Sequence, residues 1–266
     1  MLKNVGVLVT RPLKQAHAFA RQLEQYGAIP VVLPTIEIAP PPDMQPLLEA
    51  RAQLGTYDFA MFVSANAVEQ ALATLTHWPE SVTALAPGKG TAEALRQAGV
   101  PEQAVLMPAS RFDSEGLLEL PGLRQMQGRR VLIFRGERGR ELLGDTLTAR
   151  GADVTRVTCY RRICPAGEVI NAAEFLWPLL RQNRLQAITL TASEALDNLE
   201  TIAGEALCQA LKALPVFATH PRIAAHAQAR GWKAVDTSGG DSGSGDEGLI
   251  CGMISFLRDS PNLRKA

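Results

Sequence analysis

Four positions in this chain place a small hydroxyl directly after an apolar run: Thr10 after Val9, Ser64 after Val63, Thr191 after Leu190 and Thr219 after Ala218. A hydroxyl at such a point can cap the helix that follows, its oxygen accepting from a backbone N–H one turn in. The remaining N–H groups and the helix dipole then favour an anion in front of the helix. For any one position a simple cap is the plainer reading, and several caps facing one crevice would make an anion site. Arginines accompany two equivalent positions, in Thr10-Arg11-Pro12 and in Phe134-Arg135-Gly136-Glu137-Arg138-Gly139-Arg140. A guanidinium holds a carboxylate as a planar fork. Gly136 and Gly139 either allow close approach to the backbone or serve the turn. This chemistry is recognition of a carboxylate-bearing molecule, with no acid–base dyad.

Other site chemistries find little support. Gly88-Lys89-Gly90-Thr91 resembles the end of a phosphate-binding loop, but Thr83 stands where its first glycine belongs and Gly90 replaces the Ser/Thr. Gly239-Gly240 through Gly248 matches such a loop in composition only. No Ser–His–Asp order, H-E-x-x-H or paired-carboxylate spacing stands out. Cys159, Cys164, Cys208 and Cys251 form no C-x-x-C pair and His17, His77, His220 and His226 are not grouped with them, so reduced thiols and no metal or cofactor are expected.

The elements that must position these residues alternate along the chain. Val5–Val9 precedes a helical stretch over 13–26 whose Ala16, Phe19, Ala20 and Leu23 fall at helical spacing, and Gly27 ends it. Ile29–Leu33 is the next strand; Phe59–Val63 precedes a helix from about Ala65, and Val82–Ala86 one over Thr91–Gln97. Strand-then-helix order predicts parallel sheets with right-handed crossovers. Hydrophobic residues are 46% and aromatics 5% of 266 residues, so the core is mainly Leu, Val, Ile and Ala, as in sheets covered on both faces. The length suits two α/β domains. Lys and Arg total 27, as do Asp and Glu, which argues against a nucleic-acid partner. No apolar run spans a bilayer, and Met1-Leu2-Lys3-Asn4 lacks the apolar region of a signal peptide, so a cytoplasmic protein with no membrane partner is expected. Ala39-Pro40-Pro41-Pro42 marks a boundary, and the Gly, Ser and Asp of Thr237–Gly248 predict a surface loop.

The order of elements repeats. Val7-Leu8-Val9-Thr10-Arg11 matches Val131-Leu132-Ile133-Phe134-Arg135 at an offset of 124, and Ala60–Ala65 matches Ala187–Ala192 at 127. Ser114-Glu115-Gly116-Leu117-Leu118 matches Asp246-Glu247-Gly248-Leu249-Ile250 at 132. Slowly growing offsets are what loop insertions in a duplicated unit produce.

Taken in order, several motifs resemble the uroporphyrinogen-III synthase family. They are Val7–Pro12, Asp58–Val68, Gly88-Lys89-Gly90-Thr91-Ala92, Ser114-Glu115, Arg135-Gly136-Glu137 and Val157-Thr158-Cys159-Tyr160-Arg161. Each is loose alone; their joint order over nearly the whole chain is the specific signal. The resemblance implies two flavodoxin-like parallel-sheet α/β lobes joined by a two-stranded connector, with a cleft between them. Lobe one would be 1–34 with 165–266, lobe two 40–158, and the connectors 35–39 and 159–164. Thr35 and Cys159 are separated by the repeat's own offset, so each lobe would combine parts of both copies.

The resemblance also implies the reaction. A lyase of this family closes hydroxymethylbilane, a linear octacarboxylate tetrapyrrole of haem biosynthesis, with loss of water and inversion of the last ring through a spiro intermediate. The linear molecule also closes spontaneously without inversion, so the protein's task is orientation more than strong acid or base. Tyr160 matches the proton donor to the leaving hydroxyl; a phenol is a modest acid at neutral pH, so its loss should slow the reaction without abolishing it. Thr10, Ser64, Asn66, Thr191, Ser193 and Thr219 match cleft-facing strand ends, and Arg11, Ala65, Thr91, Arg135, Gly136 and Glu137 join them in substrate binding. Pro87 and His220-Pro221 depart from the family pattern, and Pro221 has no N–H to offer. The resemblance implies a monomer without cofactor and leaves room for a transient contact with the preceding pathway enzyme. Two rivals remain open at this point: a two-lobed clamp for a small anion, and a flavodoxin-like redox module.

Overall fold

The computed structural model describes residues 1–165, 172–237 and 245–259. In chain order the elements are β1 (Gly6–Val9), α1 (Leu13–Gln25), β2 (Ile29–Val32), β3 (Glu37–Ala39), α2 (Gln45–Ala52), β4 (Phe59–Phe62) and α3 (Ala65–Leu72). There follow β5 (Thr83–Leu85), α4 (Lys89–Gln97), β6 (Val105–Leu106), α5 (Ser114–Leu118), β7 (Arg130–Gly136), α6 (Leu142–Ala149) and β8 (Asp153–Ile163). The last third holds α7 (Ala172–Arg181), β9 (Ala187–Leu190), α8 (Ser193–Leu211), β10 (Pro215–Ala218), α9 (Pro221–Ala229), β11 (Lys233–Asp236) and α10 (Asp246–Asp259).

Periodicity and chain punctuation explain the pattern. In α1 the buried residues are Ala16, Phe19, Ala20 and Leu23, one stripe at helical spacing. Gly27 ends it with φ of 83°, and Ala28 N–H donates to Leu23 O at 3.1 Å, a left-handed turn that a side chain would strain. α4 begins two residues before the expected Thr91, because the extended backbone of Gly88 already starts the turn. Residues 238–244 of the expected surface loop lie outside the described residues. Among the described residues, no helix is long and apolar enough to cross a membrane.

The strands form two sheets, ordered β11-β10-β9-β1-β2 and β3-β8-β7-β4-β5-β6. All pairings in the first are parallel, as are those joining β8, β7, β4, β5 and β6 in the second. The chain divides into two compact units, Met1–Glu37 with Ile163–Ala266, and Ile38–Arg162. The two sheets follow one plan. β1, β2, β9, β10 and β11 stand to one another as β7, β8, β4, β5 and β6 do, both in the flavodoxin-like order 2-1-3-4-5. Each sheet therefore joins two strands from one half of the sequence to three from the other, and β3 adds a sixth strand to the second sheet.

Each unit has its own core. In the second unit, Phe62 and Phe134 stack on one face with ring centroids 5.0 Å apart, over Ala67, Leu72 and Leu95. Met61 and Ile133 point to the other face, among Leu117, Leu143 and Leu147. Both faces of β4 and β7 are thus apolar, as parallel strands between helical layers require. In the first unit, Val7, Val9, Ala187 and Phe217 pack against Phe19, Leu23, Met253 and Leu257.

Candidate active site

In a parallel sheet of this order, ligands bind beyond the carboxyl ends of the strands, at the point where the order reverses. In the second unit that point lies between β7 and β4. Ser64 follows β4 there and is the N-cap of α3, its Oγ accepting from Ala67 N–H at 3.2 Å. The same Oγ lies 3.2 Å from the phenolic oxygen of Tyr160. Gly136, the last residue of β7, pairs with Tyr160 across the ladder. A Cβ on Gly136 would stand 2.8 Å from Tyr160 Cζ and 3.1 Å from its hydroxyl, so the ring occupies the space that glycine leaves. Glu137 is exposed, and its N–H donates to Tyr160 O at 2.9 Å.

An irregularity in the ladder delivers Tyr160 to this place. Arg135 pairs with Thr158 and Gly136 with Tyr160, leaving Cys159 as the extra residue of a bulge. Cys159 and Tyr160, which regular pleating would send to opposite faces, both join the same buried cluster. Cys159 is fully buried, and burial pushes its thiol up to about 12. Its Sγ lies 3.2 Å from Arg135 O. Tyr160 is 5% exposed.

Ala65 and the buried Asn66 open α3. One strand further on, Thr91 is the third residue of α4 and is also buried. Gly88 caps α4 with no side chain to receive an N–H. The Lys89 ammonium lies 4.7 Å from the ring centroid of Phe112, which is 42% exposed on the loop leaving β6. Arg135 is turned away from this group. Its Nη1 pairs with Glu141, its Nη2 donates to Gly139 O at 3.1 Å and its Nε to Gly136 O at 3.3 Å, so the guanidinium braces its own loop.

In the first unit the reversal point lies between β1 and β9, and three of the expected caps are corrected. Thr10 is fully buried and donates its hydroxyl to Thr189 O at 2.9 Å, while the N-cap of α1 is Pro12. Ala192, not Thr191, caps α8, which starts at Ser193. His220, not Thr219, caps α9, its Nδ1 accepting from Arg222 N–H at 3.1 Å. In each case at least one residue stands between the threonine and the first residue of the helix, so the hydroxyl is out of reach of the first turn. Ser64 alone of the four abuts its helix. Other threonines stitch the strands of this sheet: Thr189 donates to Leu8 O at 3.1 Å and Thr237 to Ala218 O at 2.9 Å.

Arg11 also departs from expectation. It is 7% exposed, not a surface fork. Nη1 lies 2.7 Å from Asp246 Oδ1 and the guanidinium carbon 4.1 Å from the centre of the Phe19 ring. Burial lowers its pKa and Asp246 opposes that shift. Nε and Nη2 are buried with no hydrogen-bond partner.

A family model described as Uroporphyrinogen-III synthase HemD matches residues 17–238. The chain belongs to the uroporphyrinogen-III synthase family. It is 40% identical over 162 residues to the uroporphyrinogen-III synthase of Escherichia coli, a match covering 59% of this chain and 65% of that protein. Over 199 residues it is 35% identical to that of Synechococcus elongatus, covering 72% of each. Its fold is similar to that of a mutant uroporphyrinogen III synthase from Thermus thermophilus, with a TM-score of 0.56 at 21% identity, covering 96% of this chain and 99% of that one. The Helicobacter pylori uroporphyrinogen-III synthetase gives a TM-score of 0.55 at 16% identity, covering 95% and 99%.

Within this uroporphyrinogen-III synthase family member the structure gathers Ser64, Ala65, Asn66, Gly136, Glu137 and Tyr160 at one strand-end crest, with Thr91 in α4, the helix after the adjoining strand. Thr10, Thr191, Ser193 and Thr219 stand at the crest of the other sheet. Sequence reasoning missed Phe112, the partner of Lys89, because an isolated exposed aromatic in a loop carries no periodic signal. It also missed Asp246 as the partner of Arg11; the repeat marked Asp246 only as the counterpart of Ser114.

Proposed function

We propose that this chain catalyses the closure of hydroxymethylbilane to uroporphyrinogen III, with loss of water and inversion of the terminal pyrrole ring. The observation that carries the reading is the Tyr160 hydroxyl, 3.2 Å from Ser64 Oγ at the reversal point of the second unit's sheet, in a chain of this family. Family membership favours it over the anion clamp and the redox module.

Tyr160 hands its proton to the leaving hydroxyl. Its ring is fixed between the bulge at Cys159 and the bare backbone of Gly136, so the phenol meets the substrate in one orientation. The substrate's carboxylates go to the N-terminal turns of α3 and α4, at Ala65, Asn66 and Thr91, and Lys89 adds a cation. In the first unit, carboxylates go to the strand ends around Thr191, Ser193 and Thr219, beyond the carboxyl ends of that unit's own sheet. Arg135 and Glu137 shape the turn that holds Gly136. The selectivity is entropic in origin: a chain held with its ends in place closes by the inverted route before it closes by the spontaneous one. The enzyme works in the cytoplasm, as a monomer and without cofactor.

The test is to supply freshly made hydroxymethylbilane and resolve the cyclised isomers. Uroporphyrinogen III as the main product supports the reading. Isomer I alone, formed at the spontaneous rate, removes it.

A further inference from the structure

A serine hydroxyl has one proton to give and two sites that accept. At Ser64 one accepting site is taken by Ala67 N–H, at 3.2 Å, in the first turn of α3. What remains, one proton and one accepting site, faces the Tyr160 oxygen at 3.2 Å, where either atom can be the donor. Tyr160 cannot back away from this contact, because its ring fills the space over Gly136 and its backbone O is tied to Glu137 N–H.

We propose that Ser64 is a positioning residue that acts through Tyr160, reversing its hydrogen bond to hold the phenolate formed when Tyr160 gives up its proton. The inference rests on the role of Tyr160 proposed above. In the resting protein Tyr160 O–H donates to Ser64. When the substrate's terminal hydroxyl arrives, the phenolic proton turns to it and Ser64 turns its own O–H onto the Tyr160 oxygen. The proton passes to the hydroxymethyl oxygen, the C–O bond breaks and its electron pair leaves with water. The tetrapyrrole then carries the positive charge and Tyr160 the negative one. An O–H to O⁻ bond is stronger than a neutral one, and the N-terminal end of α3 adds its dipole through Ser64. The phenolate recovers a proton when the closing pyrrole loses its own, which balances the cycle.

Four variants separate this role from simple capping. Glycine caps almost as well as serine but has no hydroxyl, so Ser64→Gly keeps α3 and loses the relay. Ser64→Thr keeps both. The expected result is a kcat lower by about tenfold in Ser64→Gly, with KM little changed and Ser64→Thr near the unaltered protein. Ser64→Gly/Tyr160→Phe should be no slower than Tyr160→Phe alone, since both act on one proton. An unaltered protein that makes isomer III while Ser64→Gly turns over at the same rate overturns the relay alone, and so do losses that multiply in the double variant. An unaltered protein that makes only isomer I overturns the proposed function and the relay with it.

Discussion

Tyr160 owes its place to a missing side chain. Because a Cβ on Gly136 would fall 2.8 Å from Tyr160 Cζ, Gly136→Ala forces the ring aside in an otherwise intact sheet. Misplacement of a reacting group by about 1 Å costs on the order of a hundredfold in rate, so kcat should fall by ten- to a hundredfold while the circular dichroism spectrum is kept. A normal kcat would show that the ring's position is immaterial. Arg11 makes the complementary point. Asp246→Ala strands a buried guanidinium, and chemical denaturation should show a loss of about 2–3 kcal/mol, toward the low end for a broken buried pair because Asp246 is partly exposed. An unchanged midpoint would contradict the pairing. That an arginine follows β1 is visible in the sequence. That it turns inward is not, because its partner lies in the last described helix and becomes its neighbour only through packing.

At the scale of elements, strand ends and helix starts were legible to within a residue or two, and that margin decided the caps. One residue between the threonine and the helix, Ala192 or His220, puts Thr191 and Thr219 beyond the first turn, and periodicity does not locate a helix start that finely. The bulge at Cys159 was also out of reach, since an extra residue leaves no mark in the sequence of a strand that mixes polar and apolar residues. It has a measurable consequence. The thiol is neutral in the folded chain until about pH 12 but ionises near its ordinary value, 9.0, when unfolded. The unfolded state therefore binds fewer protons above pH 9, and stability should decline from there toward pH 12. Cys159→Ala removes this contribution and should flatten the alkaline limb of a stability-against-pH curve. An alkaline limb identical in the two proteins would mean that Cys159 is not held as a buried thiol.

At the scale of the whole molecule, the internal repeat carried the most information. The match of Val7–Arg11 to Val131–Arg135 anticipates that β1 and β7 hold the same position in their sheets, and the match of Ala60 to Ala187 does the same for β4 and β9. Strand order follows from a duplicated pattern because each copy carries the same alternation of apolar run, turn and helix. The chain's change of unit between Arg162 and Ile163 falls at the end of the continuous strand β8. Tyr160 lies near that strand's end, so the residue assigned to the chemistry belongs to an element laid down by the fold and not to a separate loop.

The central claim is that this chain directs hydroxymethylbilane to the inverted product through Tyr160. The most direct measurement follows the isomers formed from fresh hydroxymethylbilane by the unaltered protein and by Tyr160→Phe. The account predicts uroporphyrinogen III from both, formed at least about tenfold more slowly by the variant, as loss of a modest general acid requires. Isomer I alone from the unaltered protein, or equal rates from the two, would contradict it.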